Sequence, residues 1–135
     1  MAAIQEVIIR LGDKSHRCRA LLDYQYFHLA FMSKDKFEEL FGKAWETGAK
    51  VEALLGLEQR AHLSEYAILD IEIKGKTLKN MYVWLIDKNL KSVLPPEYLE
   101  MIASHIDIIL GSTILENYGI RLVKDKDTGA MRIEL

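Results

Sequence analysis

The chain has 135 residues, half of them hydrophobic and 28% charged, which is the size and make-up of one globular domain spanning 1–135. Eighteen Lys and Arg against 20 Asp and Glu leave a net charge of −2, without the basic excess expected of a nucleic-acid binder. No run approaches the roughly 20 apolar residues of a membrane span, Met1 to Glu6 lacks the regions of a signal peptide, and the lone Cys18 cannot form an internal disulfide, so a soluble domain in the reducing cytoplasm is expected.

The apolar pattern predicts mostly strands. Ile4 to Leu11 is rich in β-branched residues and stops at the turn dipeptide Gly12-Asp13. His16 to Asp23 follows and grows more apolar towards its end, so the two make a hairpin. Tyr26 to Met32 is expected as a further strand or an extended segment. Ser33 offers an N-cap for a helix over Lys34 to Phe41, with Phe37, Leu40 and Phe41 at helical spacing and Gly42 as its stop. After Gly48, Val51 to Leu57 and His62 to Lys74 read as strands, the second with Ala67, Leu69, Ile71 and Ile73 in strict alternation. Gly75-Lys76 predicts a turn into Leu78 to Ile86, where Met81, Val83 and Leu85 alternate again.

Pro95-Pro96 opens a short helix to about Ser104, since Pro is tolerated in a first helical turn. Ile106 to Leu110 is a dense apolar strand ending in Gly111, and Ser112 can cap a helix through Asn117, closed by Gly119. Ile120 to Val123 and Met131 to Leu135 flank a polar turn from Lys124 to Ala130. The chain is therefore mainly β with two or three short helices, without internal repeat or linker.

Two segments far apart in the chain carry a resemblance. The first is Arg19-Ala20-Leu21-Leu22-Asp23, an apolar strand running into one aspartate. The second is Ile106 to Leu115, through Ile108-Ile109-Leu110-Gly111-Ser112, followed by Tyr118-Gly119-Ile120. Together they resemble the retropepsin-like aspartic proteases, the single-lobe family that includes retroviral proteases. The resemblance implies a retropepsin-like closed β-barrel with two or three short helices, and Asp23 as the catalytic residue. That chemistry holds two carboxylates about 3 Å apart, sharing a proton and activating a water. One chain offers one such aspartate in context, so the resemblance also implies a homodimer that pairs Asp23 with its twin. Ile4 to Ile9 and Met131 to Leu135 are the terminal strands it assigns to the dimer interface. A flap would come from the middle hairpin, where the nearest glycine is Gly56.

The family has Thr or Ser and then Gly after this aspartate; here Tyr24 and Gln25 stand there, as expected substrate-binding residues. Gln25 adds bulk where a glycine lets two loops approach. Two functions follow. One is an aspartic endopeptidase acting on extended peptide or protein; the other is a catalytically inactive homodimer of the same fold, serving as a peptide-binding or interaction module.

The remaining chemistry is sparse. Asp127-Thr128-Gly129-Ala130 spells the family motif, but the charged Lys124-Asp125-Lys126 precedes it, and Asp-x-Gly between strands reads as a tight turn. His16, His28, His62 and His105 show no ligand spacing with one another or with Cys18, so neither a metal nor a cofactor is expected. Trp45, Tyr82 and Trp84 read as strand packing with a groove as the alternative. Asp70, Asp87 and Asp107 read as strand-edge, turn-linked or solvent-facing carboxylates. For Asp23 the plain reading is a turn cap.

Overall fold

The computed structural model describes residues 2–55, 59–101 and 105–135. Ala2–Leu11 (β1) and Lys14–Asp23 (β2) pair antiparallel, with Ala2 opposite Asp23 and Leu11 opposite Lys14. The tight turn between them uses Gly12 at φ +60°. Ala30–Ser33 (β3) leads into Lys34–Phe41 (α1), where the Ser33 hydroxyl accepts the Lys36 N–H at 3.1 Å and Phe37 and Phe41 are buried. Glu46–Leu55 (β4) and Gln59–Ile73 (β5) form a long hairpin; Gly56 and Leu57, expected near its tip, lie outside the described residues. Lys76–Ile86 (β6) pairs with β5 through a turn at Lys74-Gly75, both at positive φ. The turn thus sits one residue earlier than the expected Gly75-Lys76, because this tight hairpin turn places both central residues in left-handed conformations.

A 3-10 turn at Leu90–Val93, which the apolar pattern did not reveal, precedes Pro96–Met101 (α2). The expected continuation of that helix to Ser104 falls outside the described residues. Ile108–Leu110 (β7), Ser112–Asn117 (α3), and the hairpin of Arg121–Lys124 (β8) with Met131–Glu134 (β9) complete the chain.

The main sheet runs β1-β2-β7-β3-β6-β5-β4, and β1 also pairs with β5. Six strands therefore close into a barrel with β4 outside it, the mainly-β architecture with short helices that was expected. Alternation along β2 divides its side chains between two cores. Ala20 and Leu22 join Val7, Ile9, Met32, Ile71, Val83 and Leu110 in one cluster. Leu21 joins Phe27, Phe31 and Ile109 in another, with Leu55 and Leu63 of the β4–β5 hairpin and Leu90, Val93, Leu94 and Tyr98 from the segment after β6.

Most strands begin a few residues from where they were expected, and two starts differ most. Tyr26 to Met32 yields a strand only from Ala30, because residues 24–27 are wound around the Asp23 carboxylate instead. The strand expected from Val51 starts at Glu46 and tolerates Gly48, since the register slips between Thr47 and Val51 and a Cβ on Gly48 would lie 3.0 Å from the Tyr66 ring.

β7 lies between β2 and β3, parallel to the first and antiparallel to the second. It ends at Gly111, pressed onto the loop that joins those two strands. A Cβ there would meet the His28 carbonyl carbon at 2.5 Å and the Phe27 and Leu29 oxygens at 2.6 Å. The contact lets the N–H groups of Gly111, Ser112 and Thr113 donate to Leu29, Phe27 and His28 at 2.9, 2.8 and 3.1 Å. Backbone on both sides leaves nothing to yield. Gly111→Ala is therefore expected to lower unfolding free energy by about 3 kcal/mol or more, the upper range for overpacking, as read by urea denaturation.

Candidate functional site around Asp23

Asp23 ends β2 and is fully buried. Its Oδ2 accepts the N–H groups of Tyr26 at 2.7 Å and Phe27 at 2.8 Å. Its Oδ1 accepts the Gln25 N–H at 3.1 Å and the Tyr98 hydroxyl. A carboxylate offers about four lone-pair directions, and all are taken within the chain. The turn follows from the chemistry: a buried charge is tolerated when hydrogen-bonded, and three successive N–H groups wrapped around one acceptor supply that.

Tyr98 comes from α2, is buried, and packs edge-on against Tyr26 at 5.3 Å between centroids. Burial first, then the bond to Asp23 and its charge, push the Tyr98 phenol far above the ordinary tyrosine range. The Tyr24 hydroxyl donates to the Ile120 carbonyl, and its ring packs on the barrel core. Burial, then the charge of Glu116, raise its pKa. Gln25 is exposed, and its side-chain amide donates to the Tyr26 hydroxyl at 3.2 Å. The three residues expected at the site are thus adjacent in space, but Tyr24 ties the loop to its own chain.

These contacts decide the available chemistry. A general base needs a lone pair that water can reach. A shared-proton dyad needs a second carboxylate about 3 Å away. With Tyr98 and the 25–27 backbone on Asp23, neither approach is open. The terminal strands are also engaged within the chain: β1 pairs with β2 and, at Ile8–Arg10, with β5, while β9 pairs with β8.

Sequence reasoning missed a Ser–His pair beside this loop. Ser112, expected as a helix cap, is the first residue of α3 behind Gly111 as N-cap, and its Oγ lies 2.8 Å from His28 Nδ1. That is nucleophile-and-base geometry. The N–H groups of Gly111 to Thr113 are all spent on residues 27–29, leaving no donor there for an oxyanion, so the pair clasps α3 to the loop.

Other candidates have structural roles. Asp107, for which a solvent-facing position was one expectation, is only 4% exposed. It accepts the Arg19 N–H at 2.8 Å, with Lys36 Nζ at 3.7 Å and His105 Nε2 at 3.5 Å, so it fastens the entry to β7 onto β2. Asp70 accepts the N–H of Asn80 at 2.9 Å, where the register of β5 and β6 shifts. The Asp127-Thr128-Gly129 sequence is a turn: Asp125 Oδ1 accepts the N–H groups of Asp127 and Thr128, and Gly129 has φ +74°. Burial, then the Asp107 charge, push the Cys18 thiol up to about 12, which removes it as a nucleophile at neutral pH. Among the described residues no group of His, Cys, Asp or Glu could hold a metal ion, and no helix is long and apolar enough to cross a membrane.

One opening borders the Asp23 loop. His28, Leu29 and Phe31 face Glu52, Ala53 and Leu54 of β4 across a cavity of about 140 Å³, and Leu54 is 44% exposed.

No protein-family profile matches the chain, and no curated protein does. Among solved structures, the chain is similar to the retroviral protease-like domain of Ddi1 from Leishmania major, at 12% identity and a TM-score of 0.47, over 98% of this chain and 89% of that one.

Two measurements check the account of Asp23. Asp23→Asn turns an amide N–H towards backbone donors and is expected to lower stability by about 3 kcal/mol, the loss when buried partners of a charged acceptor are left unpaired, in thermal and urea unfolding. Because the Tyr98 pKa in the folded chain lies above its unfolded value, its contribution is fully present below about pH 10 and declines as pH rises beyond that. Tyr98→Phe is expected to flatten the alkaline limb of the stability–pH curve.

Proposed function

We propose that the chain is a non-catalytic domain of the retropepsin-like fold that binds extended polypeptide. The observation that carries this reading is the state of Asp23, buried and bonded on both oxygens by its own chain. A carboxylate so occupied holds a turn, and the residues that would serve a dyad serve the loop instead.

What supports peptide binding is the neighbouring strand. Among the described residues β4 stands last in the sheet order and pairs with β5 alone, so its outer edge carries backbone groups that an added strand can meet. Along Glu52–Leu54 that edge borders the cavity against His28, Leu29 and Phe31, with Leu54 as an exposed apolar contact. An extended segment laid there gains main-chain bonds from β4 and one side-chain pocket.

The endopeptidase reading keeps one observation in its favour. Asp23 ends β2 beside the loop into which Gly111 packs, the place the resemblance assigns to the catalytic carboxylate. It requires α2 to withdraw Tyr98 and a second copy to take its place.

Incubation with a mixed peptide library from acidic to neutral pH separates the two. Wild type and Asp23→Asn are expected to leave the library uncut, while retained peptides shift the amide resonances of Glu52–Leu54 and His28–Phe31. Leu54→Glu is expected to weaken retention about tenfold, as for loss of a central apolar contact. Cleavage by wild type that Asp23→Asn abolishes overturns the proposal.

A further inference from the structure

On the outer side of β5 and β6 lies an aromatic ledge that neither core absorbs in full. Tyr66 stands opposite Trp84 and Ile68 opposite Tyr82. Tyr66 and Tyr82 stack at 5.2 Å with 20° between their planes, and Trp84 tilts against Tyr66 at 5.5 Å. Tyr82 is 52% exposed. The ledge is held in shape: Gly48 leaves room beneath Tyr66, and the Tyr66 hydroxyl donates to Glu46 Oε2 at 3.0 Å. Glu46 is itself exposed, so one carboxylate stands at the border of two stacked ring faces.

Among the described residues the same combination occurs with its cation in place. Lys34 Nζ sits 4.2 Å from the centroid of the Trp45 ring and 2.7 Å from Glu65 Oε2. An aromatic face attracts a cation through its quadrupole, and a nearby carboxylate adds Coulomb attraction and a hydrogen-bond acceptor. At the ledge the Tyr82 ring and the Glu46 carboxylate are exposed, while Tyr66 and Trp84 are half-buried.

We infer that the Tyr66–Tyr82–Glu46 ledge is a docking site for an arginine side chain of a partner polypeptide. Charge complementarity selects a cation, and the flat stacked pair selects a planar one. A guanidinium can lie flat on the exposed Tyr82 ring, where the Glu46 carboxylate adds Coulomb attraction, a stacking geometry that a lysine ammonium cannot reproduce. This inference does not rest on the proposed peptide slot at β4, which lies beside the Asp23 loop and uses other residues.

The test uses the full chain with the peptide acetyl-Gly-Arg-Gly-Arg-Gly-amide and its lysine and citrulline counterparts, followed by the aromatic ring resonances of Tyr66, Tyr82 and Trp84. Saturable shifts of those rings are expected with the arginine peptide. Binding about tenfold weaker is expected for citrulline, which lacks the charge, with lysine between the two. Tyr82→Ala, an exposed position, is expected to lose the response. Glu46→Gln is expected to weaken it several-fold and to reduce its salt sensitivity. Shifts confined to another surface, equal binding of the three peptides, or an unchanged response in Tyr82→Ala overturns the inference. Because the peptide-slot resonances of Glu52–Leu54 are read in the same spectra, failure at the ledge is distinguishable from failure at β4.

Discussion

The Asp23 carboxylate is the constraint around which this end of the barrel is arranged. A buried anion needs hydrogen-bond donors, and it draws three from the backbone that follows it and one from Tyr98. That demand curls residues 24–27, which sets where β3 can begin and presents the carbonyls of Phe27, His28 and Leu29 to the N–H groups after β7. Gly111 is the matching half, since two backbones approach at a distance that no side chain survives. The loop, the end of β7 and the start of α3 are therefore one interlocked unit.

The same arrangement limits the chemistry. Saturating a carboxylate with donors stabilises it, and by the same contacts removes the lone pairs that activate water. Tyr24 continues the pattern. Its hydroxyl spans from the loop to the Ile120 carbonyl, joining the Asp23 turn to the segment after α3, so a bond that could have reached outside the chain is closed inside it. The open surfaces lie elsewhere, on the outer edge of β4 and on the aromatic ledge of β5 and β6.

Much of the architecture was legible in local pattern. The alternation of Ala67, Leu69, Ile71 and Ile73 against Met81, Val83 and Leu85 specifies the β5–β6 hairpin because one face is buried and a slip of one residue would expose it. Ser33 and Gly42 bracket α1 because their backbone roles at a helix end are local. The polar turn around Asp127 was legible for the same reason. What the pattern misplaced were segments governed by specific polar bonds rather than by apolar periodicity. Tyr26 to Leu29 carries apolar residues fit for a strand, yet the carboxylate two positions before Gln25 claims its backbone. Ser112 has the side chain of a cap, yet its hydroxyl goes to His28.

By itself the sequence determined the mainly-β strand content, the hairpins and the aspartate at the end of the second strand, because each follows from periodicity and turn chemistry within a few residues; the closed barrel was what the family resemblance implied, and its closure rests on the distant pairing of β1 with β5. Only the tertiary structure decided what that aspartate does. Its occupancy depends on Tyr98, which sits on a separate helix beyond four further strands, and no local pattern encodes which side chain arrives at a buried oxygen. The ledge has the same origin. Tyr66, Tyr82, Gly48 and Glu46 lie on three strands, and register alone brings them together.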